Sequence, residues 1–166
     1  MRDLTTESAQ LRIRSGLASL CIAKADSPHQ MRVHSEVGRI QSLHVGSSKA
    51  ILAFGDPGLI DDVVAAGLTR FTEKTFVDPA DLAAELEATR ARGYTVSRGE
   101  RIVGALSLGA PVLDRDGKLV GVIALLGPES RMGDMLDEHA RHLVKTAAAL
   151  SHELGAGDAG TITSGA

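Results

Sequence analysis

The sequence predicts an α+β domain, in which helices pack on a central antiparallel β-sheet of about six strands. Two apolar runs, residues 102–113 and 118–126, flank the segment DRDG at 114–117. An Asp at the start of such a turn and a Gly at its end favour a β-hairpin. Alternating runs near the N-terminus and helical patterns around the hairpin complete the prediction.

Four shorter segments are predicted to supply the remaining strands. Residues 9–15 alternate apolar and polar side chains, and the apolar run 17–25 follows them after a Ser-Gly turn. Residues 30–34 alternate in the same way. The run 94–96 comes shortly before the hairpin. Together with the two hairpin strands, these segments make a sheet of about six strands.

Helix signals occur at several places along the chain. Asp-Pro pairs at 56–57 and 78–79 combine a capping side chain with a proline suited to the first helical turn. The second of these helices is predicted to end at Gly93. A last helix over 130–155 carries an apolar stripe at helical spacing. The apolar run 50–54 is predicted to be helical too.

Composition limits the possible functions. The chain has 166 residues, 43% of them apolar and 23% charged, which predicts one globular domain with a sizeable core. Cys21 is the only cysteine, so a disulfide framework and a thiolate metal cluster are excluded. A net charge of −3 and the lack of a basic block argue against direct binding of nucleic acid.

The chain ends and the hydropathy pattern predict a cytoplasmic domain. No apolar run reaches the length of a membrane span, and the N-terminus does not resemble a signal peptide. We expect the domain to occupy residues 1–156. The tail 157–166 is poor in bulky apolar side chains, and we expect it to be disordered.

Short motifs run through the whole chain in a fixed order. Their residues are Leu43, His44, Lys49, Ala50, Thr72, Thr75, Asp78, Pro79, Leu82, Glu85, Leu86, Gly93, Tyr94, Glu100, Gly104, Ala110, Pro111, Asp114, Gly117, Gly127, Pro128, Leu150, Ser151 and Gly155. In this order and spacing they resemble the C-terminal half of IclR-type transcriptional regulators. The resemblance covers nearly all of the chain up to Gly155.

The resemblance implies a GAF/profilin-like domain that senses a small-molecule effector and has no enzymatic activity. Full-length members join it to an N-terminal winged helix, absent from this chain, that binds operator DNA. Contact with DNA is therefore expected only through that absent domain. Members work as homodimers or homotetramers, without a membrane. The effector is expected to be an organic acid or a less polar metabolite, and no cofactor is expected.

The loop 46–48 is the first candidate for effector binding. It precedes a predicted helix, where unpaired N–H groups and the positive end of the helix dipole suit a carboxylate. The resemblance adds that this loop borders the effector pocket, so Gly46 and Ser47 are candidate site residues. A plain serine cap is the alternative reading of the loop.

Four strand positions complete the candidate site. Relatives that bind small oxo-acids carry an Asp where this chain has Ser97 and a Cys where it has Ser107. Where such relatives often carry Ser on the last strand, this chain has Ala124 and Leu126. A neutral hydroxyl contributes only about 0.5–1.5 kcal/mol through a hydrogen bond. We therefore expect an effector larger or less polar than glyoxylate or pyruvate. The alternative reading of Ser107 is a side chain that merely bonds a neighbouring backbone carbonyl.

Other functions have weaker support in the sequence. His139 and His142 have a spacing that could bind metal, but His139 lies on the apolar stripe, so no metal site is predicted. Glu85 and Glu87 are interpreted as ordinary solvated helix positions. No nucleophile–base pair is evident, so no catalytic residue is predicted. An oligomerisation module with an empty pocket and a hydrolase with Ser107 as nucleophile remain the alternatives.

Overall fold

A six-stranded antiparallel β-sheet forms the centre of the protein. The computed structural model describes residues 1–157. The strands lie in the order β3-β2-β1-β6-β5-β4. Their bounds are β1 Ser8–Ser15, β2 Ala18–Ala25, β3 Ile40–Ser42, β4 Thr95–Arg98, β5 Ala105–Leu113 and β6 Leu119–Pro128. The predicted α+β fold is confirmed, whereas the predicted disorder of the tail falls, beyond Gly157, outside the described residues.

Helices cover both faces of the sheet. A 3-10 turn over Gly46–Ser48 leads directly into the second helix. The helices are α1 Arg2–Thr5, α2 Lys49–Phe54, α3 Leu59–Ala66, α4 Pro79–Arg92, α5 Glu129–Met132 and α6 Leu136–Glu153. Within residues 1–157, no helix combines the length and the apolar character needed to cross a membrane.

The hairpin of β5 and β6 forms as the sequence predicts. The Asp114 side chain accepts hydrogen bonds from the N–H groups of Asp116 at 2.9 Å and Lys118 at 3.0 Å. Gly117 has a φ of 73°, a left-handed conformation that glycine adopts without strain. The Asp and the Gly of this turn therefore have the roles that the sequence assigned to them.

Each face of the sheet has its own hydrophobic core. Alternating β5 residues such as Leu106 and Leu108 pack with Leu143 of α6. Val122 of β6 packs on the opposite face with Leu52 of α2. Since both faces are covered, side chains that point away from the α6 core still enter the protein interior. This arrangement places polar residues of the strands beneath α2 and the loop before it.

One predicted strand is wrong. Residues 30–34 form no strand, and Met31 is 72% exposed. The edge of β2 pairs instead with β3, where Leu20 lies opposite Ile40. The Ser19 hydroxyl also donates to the Gln41 carbonyl at 3.3 Å. Edge pairing of this kind depends on a tertiary neighbour, and alternation over five residues does not reveal it.

Two helix boundaries differ from the prediction. The last helix is not continuous, because residues 133–135 separate α5 from α6. The helix predicted at Asp56 begins at Leu59, and the Asp56 side chain accepts from the Gly58 N–H at 3.2 Å. The helix predicted at Asp78 is confirmed, since that side chain accepts from two N–H groups of the first turn.

The small residues of β5 allow the 3-10 turn to approach the sheet. A Cβ atom added at Gly109 would lie 2.8 Å from the Ser47 carbonyl oxygen and 2.9 Å from Thr95 Oγ1. The space beside this part of the hairpin is therefore filled by protein. Only the neighbouring part, around Ser107, remains open.

We predict that Gly109→Ala lowers the free energy of unfolding by about 1–3 kcal/mol, because the added methyl group forces the turn away from the sheet. Urea unfolding followed by circular dichroism measures the change. Gly58→Ala is the matched control, since its Cβ would meet no atom closer than 3.8 Å. Equal stability of the two variants would contradict the close approach.

A buried histidine lies in the core between α6 and the sheet. His139 is 2% exposed, and neither ring nitrogen has a hydrogen-bond partner within residues 1–157. Burial lowers the pKa of His139 below its ordinary value of 6.5, and the nearby carboxylates of Glu7 and Glu138 oppose this in part. The folded protein thus binds this proton less readily than the unfolded chain does.

We predict that acid destabilises the protein partly through His139. Below about pH 6.5 the unfolded chain takes up a proton that the folded state resists, so stability falls as the pH drops toward the lowered pKa. His139→Leu should remove this part of the slope between pH 7.5 and 5. Urea titrations at several pH values measure it, with His152→Leu on the exposed side of α6 as control. An unchanged slope in His139→Leu would refute the prediction.

Candidate functional site

A small cavity with both polar and apolar walls lies between the 3-10 turn, strands β1, β4, β5 and β6, and the segment that leads into β3. Its volume is about 60 Å³. This is enough for more than one water molecule, and the cavity is partly open to solvent. The polar residues of its wall include Gln10, Arg12, Ser35, Gln41, Ser47, Ser97, Glu100, Arg101 and Ser107.

Five of the six predicted site residues line this cavity. Ser97 of β4 lies opposite Ser107 of β5, which lies opposite Leu126 of β6, so the three form one row across the sheet. Gly46 and Ser47 form the wall above this row. Residues from four distant parts of the sequence are thus brought together.

Ala124 is the exception. It lies in the next row, between Gly109 and Gln10, and it is completely buried. The 3-10 turn packs directly on Gly109 in that row and covers it. Ala124 therefore does not line this cavity, and its role in effector binding stays a prediction.

A buried ion pair holds the 3-10 turn in place. The Lys49 Nζ lies 2.5 Å from Glu100 Oε1, and neither side chain is more than 4% exposed. The Gly46 N–H donates to the other oxygen of Glu100, Oε2, at 3.0 Å. Glu100 thus bonds both the first residue of the turn and the first residue of α2.

A second carboxylate joins this pair from α4. Lys49 donates to Glu85 Oε1 at 3.0 Å, and its Nζ lies 4.8 Å from the centre of the Phe76 ring. Glu85 is only 18% exposed. The interpretation of Glu85 as a solvated helix position is therefore wrong, whereas Glu87 is 75% exposed as expected. Helical periodicity does not reveal the difference, since the lysine that decides it lies 36 residues away.

The protonation and the hydrogen bonds of Glu100 affect which ligand the 3-10 turn can bind. Burial raises the pKa of Glu100 above its ordinary value, and the charge of Lys49 and the Gly46 N–H act in the opposite direction. The Gly46 N–H is already occupied by this carboxylate. The predicted carboxylate site at Gly46 is thus filled by a side chain of the protein itself.

Arg12 is the functional candidate that the sequence analysis missed. Its side chain is 2% exposed, although the alternation of β1 treats it as an outward, polar position. Its guanidinium donates to Ser19 Oγ at 2.9 Å and to Gln10 Oε1 at 3.0 Å. Burial lowers the pKa of Arg12, and the positive charges of Arg101 and Arg39 act in the same direction.

The wall of the cavity carries more positive charge than the expectation of a larger or less polar effector takes into account. Arg12, Arg39 and Arg101 all line it, and Lys49 neutralises Glu100, the one carboxylate in the described wall. The expectation of a larger or less polar ligand considered only Ser97, Ser107, Ala124 and Leu126. It left out the positive charge that β1 contributes.

A larger surface groove of about 790 Å³ lies between α6 and β5. Exposed side chains of α6 such as Val144 and Lys145 form much of its wall. Its buried hydroxyl, Ser151, already accepts from the Leu113 N–H and donates to the Ala147 carbonyl. The smaller cavity is the better candidate for a ligand site, because it contains a buried polar group, the Ser35 hydroxyl, without a hydrogen-bond partner among the described residues.

The described residues contain no group of three or more His, Cys, Asp or Glu side chains that could hold a metal ion. His139 is in the α6 core, and His142 faces Glu138 at 3.7 Å on the half-buried side of the same helix. The two histidines therefore do not converge on one site.

The fold is an α+β domain with a small pocket, partly open to solvent, on one face of its sheet. Residues 1–152 match the family described as "Bacterial transcriptional regulator IclR C-terminal". The chain belongs to the IclR family of bacterial transcriptional regulators and is their C-terminal, effector-binding type of domain.

Relatives of known name support this assignment. The chain is 35% identical over 136 residues to the HTH-type transcriptional regulator BhcR of Paracoccus denitrificans. The alignment covers 81% of this chain and 49% of BhcR. It is 31% identical over 131 residues to the HTH-type transcriptional repressor AllR of Escherichia coli K12, covering 78% of this chain and 48% of AllR. The chain thus spans about half the length of these relatives.

Solved structures of the family have the same fold. IclR of Thermotoga maritima superposes with a TM-score of 0.83 at 27% identity, covering 91% of this chain and 62% of that one. The repressor BlcR of Agobacterium tumefaciens gives a TM-score of 0.81 at 26% identity, covering 92% and 61%. The predicted family is confirmed.

We predict that Lys49→Met lowers the free energy of unfolding by about 3–5 kcal/mol, because it leaves the Glu100 carboxylate buried and unpaired. Adding Glu100→Gln should recover part of the loss, since the unpaired charge then disappears. Urea unfolding measures both effects. Lys145→Met, the same exchange at an exposed position of α6, should change stability by less than about 0.5 kcal/mol. A loss no greater than that in Lys49→Met would contradict the role of the pair.

Proposed function

We propose that this chain senses a small polar metabolite in the cavity beneath the 3-10 turn, and that binding changes the activity of a transcriptional regulator. The observation that carries the proposal is the row of Ser97, Ser107 and Leu126, which opens beneath Gly46 and Ser47. The Ser107 hydroxyl forms no hydrogen bond within residues 1–157 and is available to a ligand.

A route from the cavity to the rest of the domain supports a sensing role. The wall of the cavity includes Glu100, which binds Lys49 at the start of α2. Lys49 in turn binds Glu85 of α4. A ligand that shifts Glu100 or the turn therefore acts on the start of α2 and on the middle of α4. It regulates only if its affinity differs between two arrangements of the regulator.

DNA binding and self-association belong to this proposal as well. BhcR and AllR are named as HTH-type regulators and are about twice as long as the aligned segment. We propose that a DNA-binding domain outside this chain contacts the operator in the cytoplasm. We propose also that the sensor domain associates as a homodimer or homotetramer, which light scattering on the purified chain would measure.

The alternative of a hydrolase has little support at the site. A serine nucleophile needs a base within hydrogen-bond reach. In the described wall the only histidine is His34, which is largely exposed and lies 3.2 Å from Glu36. We propose that Ser107 orients a ligand and does not attack it. Turnover of a bound compound that is abolished by Ser107→Ala would favour the hydrolase.

We predict that a thermal-shift screen of small organic acids, sugar acids and their neutral analogues finds at least one ligand. At 100 times its Kd, a ligand adds about 2.7 kcal/mol and raises the Tm by about 5–10 °C. Ser107→Phe should abolish the shift, because the ring fills the cavity. Ser15→Phe, at the exposed end of β1, is the control.

Two outcomes would contradict the sensor function. A compound that shifts Ser107→Phe as much as the wild-type protein binds elsewhere, for example in the groove along α6. A screen in which no compound shifts the wild-type protein would leave the cavity without a function and favour the oligomerisation module.

A further inference from the structure

We propose that Thr6 is a strained junction between α1 and β1, and that the loop between β2 and β3 holds or releases it according to what fills the cavity. The proposal rests on the sensor function above and names the part of the domain that responds to a ligand. This β2–β3 loop, residues 26–39, contacts Thr6 with its first half and lines the cavity with its second half.

The backbone of Thr6 has a conformation that threonine rarely adopts. Its φ is 56° and its ψ is 7°, and it is the one non-glycine residue with a positive φ among residues 1–157. Helices often end on such a left-handed residue, but that residue is usually glycine, because a side chain with a branched Cβ is crowded there. Thr6 therefore stores strain at the end of α1, and contacts from elsewhere must hold it.

Contacts from the first half of the β2–β3 loop hold this conformation. The Ser27 hydroxyl donates to the Thr6 carbonyl at 2.6 Å, and His29 Nε2 lies 3.2 Å from Thr6 Oγ1. The Arg131 side chain donates to the Met31 carbonyl at 3.2 Å and also to the carboxylate of the residue that follows Thr6. The first half of the loop is thus fastened to the segment that contains the strained residue.

The second half of the loop is the wall of the cavity that yields most easily. Val33 and Ser35 line the cavity, and the Ser35 hydroxyl is buried without a hydrogen-bond partner in the described part of the chain. Residues 27–35 form neither helix nor strand, and within residues 1–157 no bond to another backbone group fixes them. The strands of the other walls are paired in the sheet, and the ion pair of Lys49 and Glu100 fixes the 3-10 turn. A ligand that needs more room than the cavity offers therefore displaces this loop first.

Lys24 connects the two halves of the loop. Its ammonium group donates to the Ser35 carbonyl at 3.0 Å and to the carboxylate of Asp26, the neighbour of Ser27, at 2.9 Å. A ligand that pushes Ser35 outward therefore draws Ser27 away from the Thr6 carbonyl. The loss of that hydrogen bond is offset by the strain that Thr6 releases when it moves to an ordinary backbone conformation. The two states are then close in free energy, so that a small ligand can decide between them.

Movement of Thr6 changes the direction of α1. The Thr6 N–H donates to the Arg2 carbonyl at 2.7 Å, and this bond closes the end of the helix. Met1 packs against the core beneath α6, whereas Leu4 is 63% exposed. Because the matching family model describes the C-terminal part of a regulator, a DNA-binding domain of the kind proposed above would precede α1 and turn with it.

The first test measures the strain at Thr6. We expect Thr6→Gly to keep or raise the Tm, because glycine adopts a left-handed conformation without strain. Thr69→Gly is the matched control at an exposed, irregular position whose φ is not positive. It should lower the Tm, since glycine gives the unfolded chain more freedom. A loss of Tm in Thr6→Gly as large as that in Thr69→Gly would overturn the claim of strain.

The second test follows Thr6 by NMR of the isotope-labelled 166-residue chain, because backbone ¹³C shifts report φ and ψ. Ser27→Ala should move the Cα and Cβ resonances of Thr6 at least halfway to the values of a threonine with negative φ. Ser107→Phe, whose ring occupies the cavity and displaces the loop, should move them in the same direction. Ser15→Ala, at the exposed end of β1, is the control and should leave them in place. If Ser107→Phe does not fold, Ser35→Leu replaces it, since it enlarges the loop's own side of the cavity.

The proposal fails if the Thr6 resonances stay in place in Ser27→Ala. It fails also if they move in Ser27→Ala but in neither cavity variant, because the loop then holds Thr6 without responding to the cavity. Neither test uses a ligand, so such a failure leaves the sensor function standing. A thermal-shift screen without a single ligand, combined with resonances that move as expected, would contradict the sensor function alone.

Discussion

The contact between Lys49 and Glu100 is the interaction on which the arrangement of the pocket depends. An ammonium group has three donors, and Lys49 directs them to Glu100, to Glu85 and to the Val96 carbonyl. Together with Glu85, the pair joins α2, α4 and the segment after β4. It positions the 3-10 turn over the sheet, and that turn forms the roof of the cavity.

The pocket is electrically neutral on the side of the turn and positively charged on the side of β1. Glu100 and Lys49 satisfy each other near the turn, and the Gly46 N–H is included in their network. On the β1 side, Arg12 has hydrogen bonds to neutral groups but forms no salt bridge within the described residues. An anion that enters the cavity therefore meets a compensated wall at the turn and an uncompensated one at β1.

Features of the fold that depend on neighbouring residues could be predicted from the sequence. Contacts between residues far apart in the sequence could not. The DRDG turn and the Asp78 cap depend on neighbours within a few residues, so the hairpin and α4 were correct. The burial of Arg12 depends on β2 and on the segment before β3, and the role of Glu85 depends on Lys49. Strand and helix periodicity carry no information on such partners. For the same reason the alternation at 30–34 predicts a strand there, although the chain turns back to pair with β2 only at Ile40.

The alternation of β5 has a consequence for how relatives of this protein can diverge. Leu106 and Leu108 belong to the α6 core, while Ser107 between them faces the cavity. A substitution at Ser107 can therefore alter ligand preference without repacking the core on the other face. Ligand recognition and core packing thus depend on alternate residues of one strand. Substitutions between relatives can change the ligand while the residues of the core stay the same.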